Sequence, residues 1–430
     1  GNHEFDEGSA ELLRMQRGGD SAGSTEHFRC ADFPILAANV TVDATGETLL
    51  PPYTIARYEG VPVAFIGLPL TDTPSVVVAS GVAGLSFRDE VETINEHVAQ
   101  LRRRGVEAIV VVIHQGGYPA DGTEDECRDF RGPIIEIVKA TDPAVDLFIT
   151  GHTHRYYLCE IDGRRVTSAG SFGRYYTDID ARLDRRSGDM TIAGIDNVPV
   201  THEIEPAADV AALVAEYRER VERISQNVVG TINADFTEEP NEAGETQLGA
   251  LIADAQLAAT QDGQGGAAVA FMNAGGIRTD LLYEAVGQER DGEVTFAEIS
   301  AIQPFGNTLV TMTLTGAQID TLLEEQWVGQ PAPDILMPSE GFSYAWNRSA
   351  PDGQRVDASS IKIDGAVVER DGRYRVTVNN FLAGGGDGFP VLMEGTNRVE
   401  GEVDIEALQR YLRERSPLGP RELGRIRLIP

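Results

Sequence analysis

From Phe33 to about Val198 the chain alternates short apolar runs with amphipathic stretches. "PILAANV", "VPVAFIGLP" and "VEAIVVVIH" predict strands, and "RDEVETINEHVAQLRRRG" between the last two predicts a helix. A second helix in "GPIIEIVKATDP" leads into a strand in "VDLFITGHTH". Such strand–helix–strand alternation predicts an α/β domain built on a layered sheet. The segment "EPAADVAALVAEYRERVERIS", Glu205 to Ser225, has helical spacing and reads as a connecting helix. Beyond it, glycine-rich loops separate a helix in "LGALIADAQLAAT" from strands in "AAVAFMN", "NTLVTMTL" and "RYRVTVN", which predicts a second α/β domain. The expected organisation is therefore 1–204, a linker helix over 205–226, and 227–430.

Composition narrows the classes. With 68 acidic and 36 basic residues the formal charge is −32, and only two of the basic residues are lysines, Lys139 and Lys362. Binding to a nucleic-acid polymer through backbone neutralisation is disfavoured. A self-repelling acidic surface explains the charge more simply than a dedicated cation store. No apolar run approaches the roughly 18 residues of a membrane span. The sequence opens inside a motif at Gly1, so a leader is not expected within it and its absence there excludes nothing. Of three cysteines, Cys127 and Cys159 flank one candidate site, and a bridge between them in an oxidising compartment is expected, leaving Cys30 over; three reduced thiols are the alternative.

Four of the seven histidines lie in short turn-like segments: His3 in "GNHE", His114 directly after a strand, and His152 and His154 in "GHTH". Imidazole beside carboxamide and carboxylate suits divalent transition metals. A lone histidine of this kind is usually structural, but three such motifs point to a metal site at strand carboxyl ends, where α/β folds place ligands.

These motifs resemble those of the calcineurin-like metallophosphoesterases, and within them the 5′-nucleotidases and periplasmic UDP-sugar hydrolases. The resemblance implies a four-layer β-sandwich metal domain joined by a helix to a second α/β domain. It implies that Asn2, His114, His152 and His154 are ligands of two divalent metal ions (Zn, Mn, Co or Fe). His3 would face the substrate, and Asp6, three residues on, would hold its imidazole. Two such ions lower the pKa of a bridging water and clamp phosphoryl oxygens, so that hydroxide attacks phosphorus in line with the leaving oxygen. His3 would stabilise or protonate the leaving group. Family members carry an "Asp-x-His" strand end and a "Gly-Asp" turn upstream of "GNHE"; neither occurs here, so the sequence reads as lacking its first strands and about half its ligands, with little turnover expected of it as given.

The second domain extends the resemblance across nearly the whole chain through "FMNAGGIRTDL", "IQPFGNTLVTMTLTGAQI" and "NNFLAGGGDGFP". By that match Asn273 and Arg278 would contact substrate, Phe305 and Phe381 would sandwich a base, and Asp387 would bind ribose hydroxyls. Aromatic faces stack a planar base, an arginine fork meets phosphate or base oxygens, and a carboxylate accepts from paired hydroxyls. One departure stands out: Glu242 occupies the place where the family has a phosphate-gripping arginine. The resemblance implies a secreted, periplasmic or cell-surface hydrolase of nucleoside 5′-phosphates, with cyclic or sugar nucleotides as further substrates. The alternatives are a same-fold hydrolase of another oxyanion, such as a thiosulfohydrolase, and a non-catalytic nucleoside-binding fragment.

Overall fold

The protein is described by a computed structural model covering residues 1–20, 27–120, 122, 127–330 and 332–429. It divides into two compact units, Gly1–Glu205 and Pro206–Pro430. The first begins with a one-turn 3₁₀ helix, His3–Phe5, followed by α1 (Ser9–Arg17). Its centre is a six-stranded sheet formed by β1 (Tyr53–Tyr58), β2 (Val61–Leu68), β3 (Ala108–Ile113), β4 (Leu147–Ile149), β5 (Tyr156–Ile161) and β6 (Arg164–Ala169), in the order β1-β2-β3-β4-β6-β5. The β2, β3, β4 and β6 neighbours are parallel, with Val63 opposite Ala108 and Val110 opposite Leu147.

Strands this apolar need both faces covered. On one face Ile66, Ile109, Val111 and Phe148 pack with Ile94, Val98 and Leu101 from the helix Glu90–Arg103, and with Ile134 and Val138 from Ile134–Ala140. On the other, Val63, Ala108, Val110 and Leu147 meet Ile179, Met190, Ile192 and Ile195. Those residues belong to an antiparallel hairpin, β7 (Tyr175–Leu183) with β8 (Met190–Pro199), which the sequence pattern did not reveal. The predicted strand in "PILAANV" is a correction. Residues 34–39 form a loop that is buried from Ala37 onward, and only Val40–Val42 is extended, pairing with Leu85–Phe87. The run is apolar because it is covered, yet Ala37 N–H donates to Pro51 and Ala38 N–H to Gly67, so its backbone bonds go to separate segments.

Cys127 and Cys159 are bridged, as expected, and Cys30 is free and exposed. With a sequence separation of 32 residues, loop-closure entropy makes the bridge worth about 4 kcal/mol. Replacing both by serine should lower the denaturant midpoint of the first unit accordingly; an unchanged midpoint would contradict this. Below β4, Asp146 accepts from the Ile109 amide at 2.8 Å. Burial nevertheless pushes its carboxyl up to about 7, with Asp189 adding to the rise. An unfolded aspartate releases its proton near about pH 4. Folding therefore takes up a proton between these values, and stability falls as pH rises from 4 to 7. Asp146→Asn should flatten that slope in thermal unfolding followed from pH 4 to 8.

The second unit opens with the helix Ala208–Ser225, and its main sheet holds β9 (Val269–Met272), β10 (Thr308–Thr315), β11 (Met337–Pro338), β12 (Arg373–Asn379) and β13 (Thr396–Val403), ordered β11-β9-β12-β10-β13. β9 and β12 are parallel neighbours, with Val269 opposite Val376. The helix Gln247–Thr260, almost wholly buried and capped by Thr246, packs with this sheet in one core that includes Phe271, Met312, Val376 and Leu382.

Candidate functional site

In the first unit the chemistry gathers where parallel strands end. His114 follows β3 directly, and its N–H donates to Leu68 O at the end of β2 (2.8 Å). The "GHTH" loop follows β4, the next strand in the sheet. The two loops lie against each other: a Cβ on Gly116 would collide with the carbonyl of Gly151, and Thr153 Oγ1 donates to Gly117 O at 3.0 Å. His152 takes up a left-handed backbone (φ 71°), and its ring meets that of His114 edge-on with centroids 5.3 Å apart. His154 is likewise left-handed (φ 56°), and its ring stands edge-on to Phe172 at 5.7 Å.

The opening turn brings a third segment to this point. Phe5 is buried against Leu12, Val40 and Val82, and Phe5 N–H donates to Asn2 O, so the turn is pinned from inside. Asn2 is 2 % exposed, and its Oδ1 lies 2.9 Å from His114 Nε2, joining residues 112 apart in sequence. His3 and Asp6 face outward, 44 % and 32 % exposed, with His3 Nδ1 2.9 Å from Asp6 Oδ2. A carboxylate accepting from Nδ1–H leaves Nε2 of a neutral ring with its lone pair.

Burial, with His152 adding to the effect, pulls His114 well below the ordinary imidazole value, so the ring is neutral and keeps a lone pair. Two donors about 2.1 Å from one ion at tetrahedral to right angles would stand about 3.0–3.4 Å apart. In the structure His114 Nε2–H donates to Asn2 Oδ1 at 2.9 Å; that separation lies just below the two-donor range, and an imidazole that gives up this proton beside a carboxamide oxygen fits a divalent metal. Among the described residues no group of three or more His, Cys, Asp and Glu side chains is arranged around one ion. The structure thus joins Asn2, His114 and His152, and sets His3 with Asp6.

In the second unit Asn273 follows β9 and Asn379 ends β12, so the two stand at neighbouring parallel carboxyl ends. Asn273 is 1 % exposed; its Nδ2 donates to Asp387 Oδ2 (2.7 Å), and its Oδ1 accepts from Asn379 Nδ2 (2.9 Å). Asp387 is left-handed (φ 53°), and its carbonyl accepts from Gln330 Nε2 at 2.7 Å. The second glycine of "NAGGIR" has a steric reason: a Cβ on Gly276 would come within 2.9 Å of Asn273 Oδ1. Arg278 Nη1 donates to Gly275 O at 3.1 Å, and its guanidinium carbon lies 5.7 Å from the Phe305 ring centroid. Phe381 is half-buried with its ring over Gly386, where any side chain would strike it.

Three neighbours escaped sequence reasoning. Asp404, buried and pushed up to about 7 by burial, accepts from Gln303 Nε2 (3.3 Å), and its N–H donates to Asn307 O (2.8 Å), tying down the loop that bears Phe305. Asp334 is raised by burial, with the charge of Asp387 adding to the effect. Beside exposed Glu242, Arg348 Nη2 donates to its carbonyl at 3.1 Å, so a cation does reach that place from elsewhere in the sequence. Asp334 and Arg348 sit in turn-rich stretches where nothing marks them, whereas Asp404 begins a helix and reads as an ordinary first-turn acid.

Fold and geometry define a two-unit α/β protein whose polar side chains converge at strand carboxyl ends in each unit. The family described as "5'-nucleotidase, C-terminal domain" matches residues 228–394. Endonuclease YhcR of Bacillus subtilis is 32 % identical over 432 residues, covering 100 % of this chain and 33 % of that protein. Cell wall protein Lmo0130 of Listeria monocytogenes is 30 % identical, covering 97 % of this chain and 56 % of that protein. The crystal structure of a 5′-nucleotidase precursor from Thermus thermophilus superposes with a TM-score of 0.80 at 27 % identity, covering 100 % of this chain and 82 % of that one. Residues 228–394 thus match the 5′-nucleotidase C-terminal family, and over its whole length the chain is similar to a 5′-nucleotidase. It spans between a third and just over half of the two curated relatives named above.

Proposed function

We propose that this protein is a metal-dependent phosphohydrolase that releases phosphate from nucleoside 5′-phosphates, with cyclic or sugar nucleotides as further substrates. The observation that carries the reading is the 2.9 Å approach of Asn2 Oδ1 to His114 Nε2, two donors from motifs far apart in sequence at a separation suited to one ion. Asn2, His114, His152 and His154 would hold two divalent ions of the Zn, Mn, Co or Fe kind. Bound there, the ions would supply positive charge to the phosphoryl oxygens and acidify water.

The remaining steps belong to side chains. His3, held at Nδ1 by Asp6, would donate from Nε2 in its protonated form to the leaving oxygen or balance its charge. In the second unit Phe305 and Phe381 take the base, Arg278 and Asn273 meet polar substrate groups, and Asp387 accepts from the ribose hydroxyls. Export to the periplasm, cell surface or medium is part of the proposal. The Cys127–Cys159 bridge favours an oxidising compartment, and one relative is named a cell wall protein. No helix among the described residues is long and apolar enough to cross a membrane.

Substrate class is tested by incubating the natural protein, loaded with Mn²⁺, with AMP, UMP, 2′,3′-cyclic AMP, UDP-glucose and a thiosulfonate. Phosphate is expected from AMP and UMP, ring opening to a 2′- or 3′-monophosphate from 2′,3′-cyclic AMP, and UMP with glucose 1-phosphate from UDP-glucose. Turnover of the sulfur compound alone would overturn the reading.

A further inference from the structure

The bonds leading from Leu382 through Asn379 and Asn273 to Asp387 run in one direction. Leu382 N–H donates to Asn379 Oδ1 at 2.8 Å. A backbone amide can only donate, so Asn379 must turn its oxygen toward it and its Nδ2 toward Asn273. That Nδ2 can only donate as well, so Asn273 must present Oδ1 to Asn379 and Nδ2 to Asp387, whose Oδ2 accepts. Three contacts of 2.8, 2.9 and 2.7 Å thus fix the orientation of two carboxamides that would otherwise flip at little cost. Asn379 is fully buried and Asn273 nearly so. Burial strengthens such a chain and penalises any member left facing a like group.

We infer that Asn379 is a positioning residue: through Asn273 it sets the plane of the Asp387 carboxylate and so the site's preference for a ligand with a vicinal diol. This rests on the reading of Asp387 as the acceptor of ribose hydroxyls. Asn379 touches no ligand itself; its effect passes through one carboxamide.

The test uses two substitutions that both keep the acceptor for Leu382 N–H, the start of the short helix Asn380–Ala383. Asn379→Asp preserves shape and cap but has no donor, so Asn273 must turn its own amide toward residue 379 and its oxygen toward Asp387. Asn379→Ser is neutral and a good cap, but too short to reach Asn273. Binding of AMP and 2′-deoxy-AMP is measured by calorimetry on the natural protein and both variants. The expected result is that the natural protein prefers the ribonucleotide, that Asn379→Asp weakens AMP binding roughly tenfold or more with little change for the deoxy form, and that Asn379→Ser narrows the preference by a smaller factor. If the natural protein binds both nucleotides alike, the diol reading of Asp387 fails and this inference with it, while the hydrolase proposal is judged separately by phosphate release. If the natural protein discriminates and both variants keep that ratio, or if Asn379→Ser loses the two ligands equally, the inference is overturned.

Discussion

His114→Ala should lower phosphate release from AMP on the order of a thousandfold and remove at least one tightly held Mn²⁺ per chain in equilibrium dialysis. The argument starts from packing. His114 leaves the sheet at the end of β3, its amide is tied to Leu68 O, and its ring lies against Gly1 and Gly151, where a side chain would crowd it. Burial keeps that ring neutral. Alanine there would leave the Asn2 carboxamide buried without its partner and strip one nitrogen from the ligand set. The fold itself should survive, because the core strands on either side are unchanged. Loss of activity with full retention of Mn²⁺ would contradict the assignment of His114 as a ligand.

His3→Ala should cost between about a hundredfold and ten thousandfold in kcat while leaving KM and metal content close to those of the natural protein. His3 is on the same turn as Asn2 but faces the other way: Asn2 is buried, His3 is largely open. The turn can therefore lose the imidazole without disturbing the Asn2–His114 contact. Asp6→Asn should be milder, roughly tenfold, since an amide can still bond Nδ1 but no longer selects the tautomer. Equal effects of His3→Ala on kcat and on Mn²⁺ retention would show that the residue acts through the metal site instead.

Much of this arrangement was legible from residue pattern alone. Apolar runs of strand length ending in His114 and in "GHTH" placed both loops at strand carboxyl ends, because continuous hydrophobicity is what a doubly covered parallel strand requires. The Asp6 contact with His3 followed from a spacing of three residues within one turn. Other features depended on contacts between distant segments. "PILAANV" is as apolar as a strand but is buried as a loop, since burial and extension are separate demands. The β7–β8 hairpin escaped because neither strand carries a continuous apolar run and aspartates at 178, 180 and 196 interrupt them. Asn379 could have been suspected as a helix cap from the doubled asparagine before "FLA", but its second bond, to Asn273, joins positions 106 apart. Asp404 and Arg348 act on neighbours that only folding brings near.

The central claim is most directly tested by stripping the natural protein with a chelator and measuring phosphate release from AMP before and after Mn²⁺ is restored. The account predicts no release from the stripped protein, recovery with Mn²⁺, and no recovery in the His114→Ala variant. Release that persists after stripping, or recovery that is equal in the variant, would contradict it.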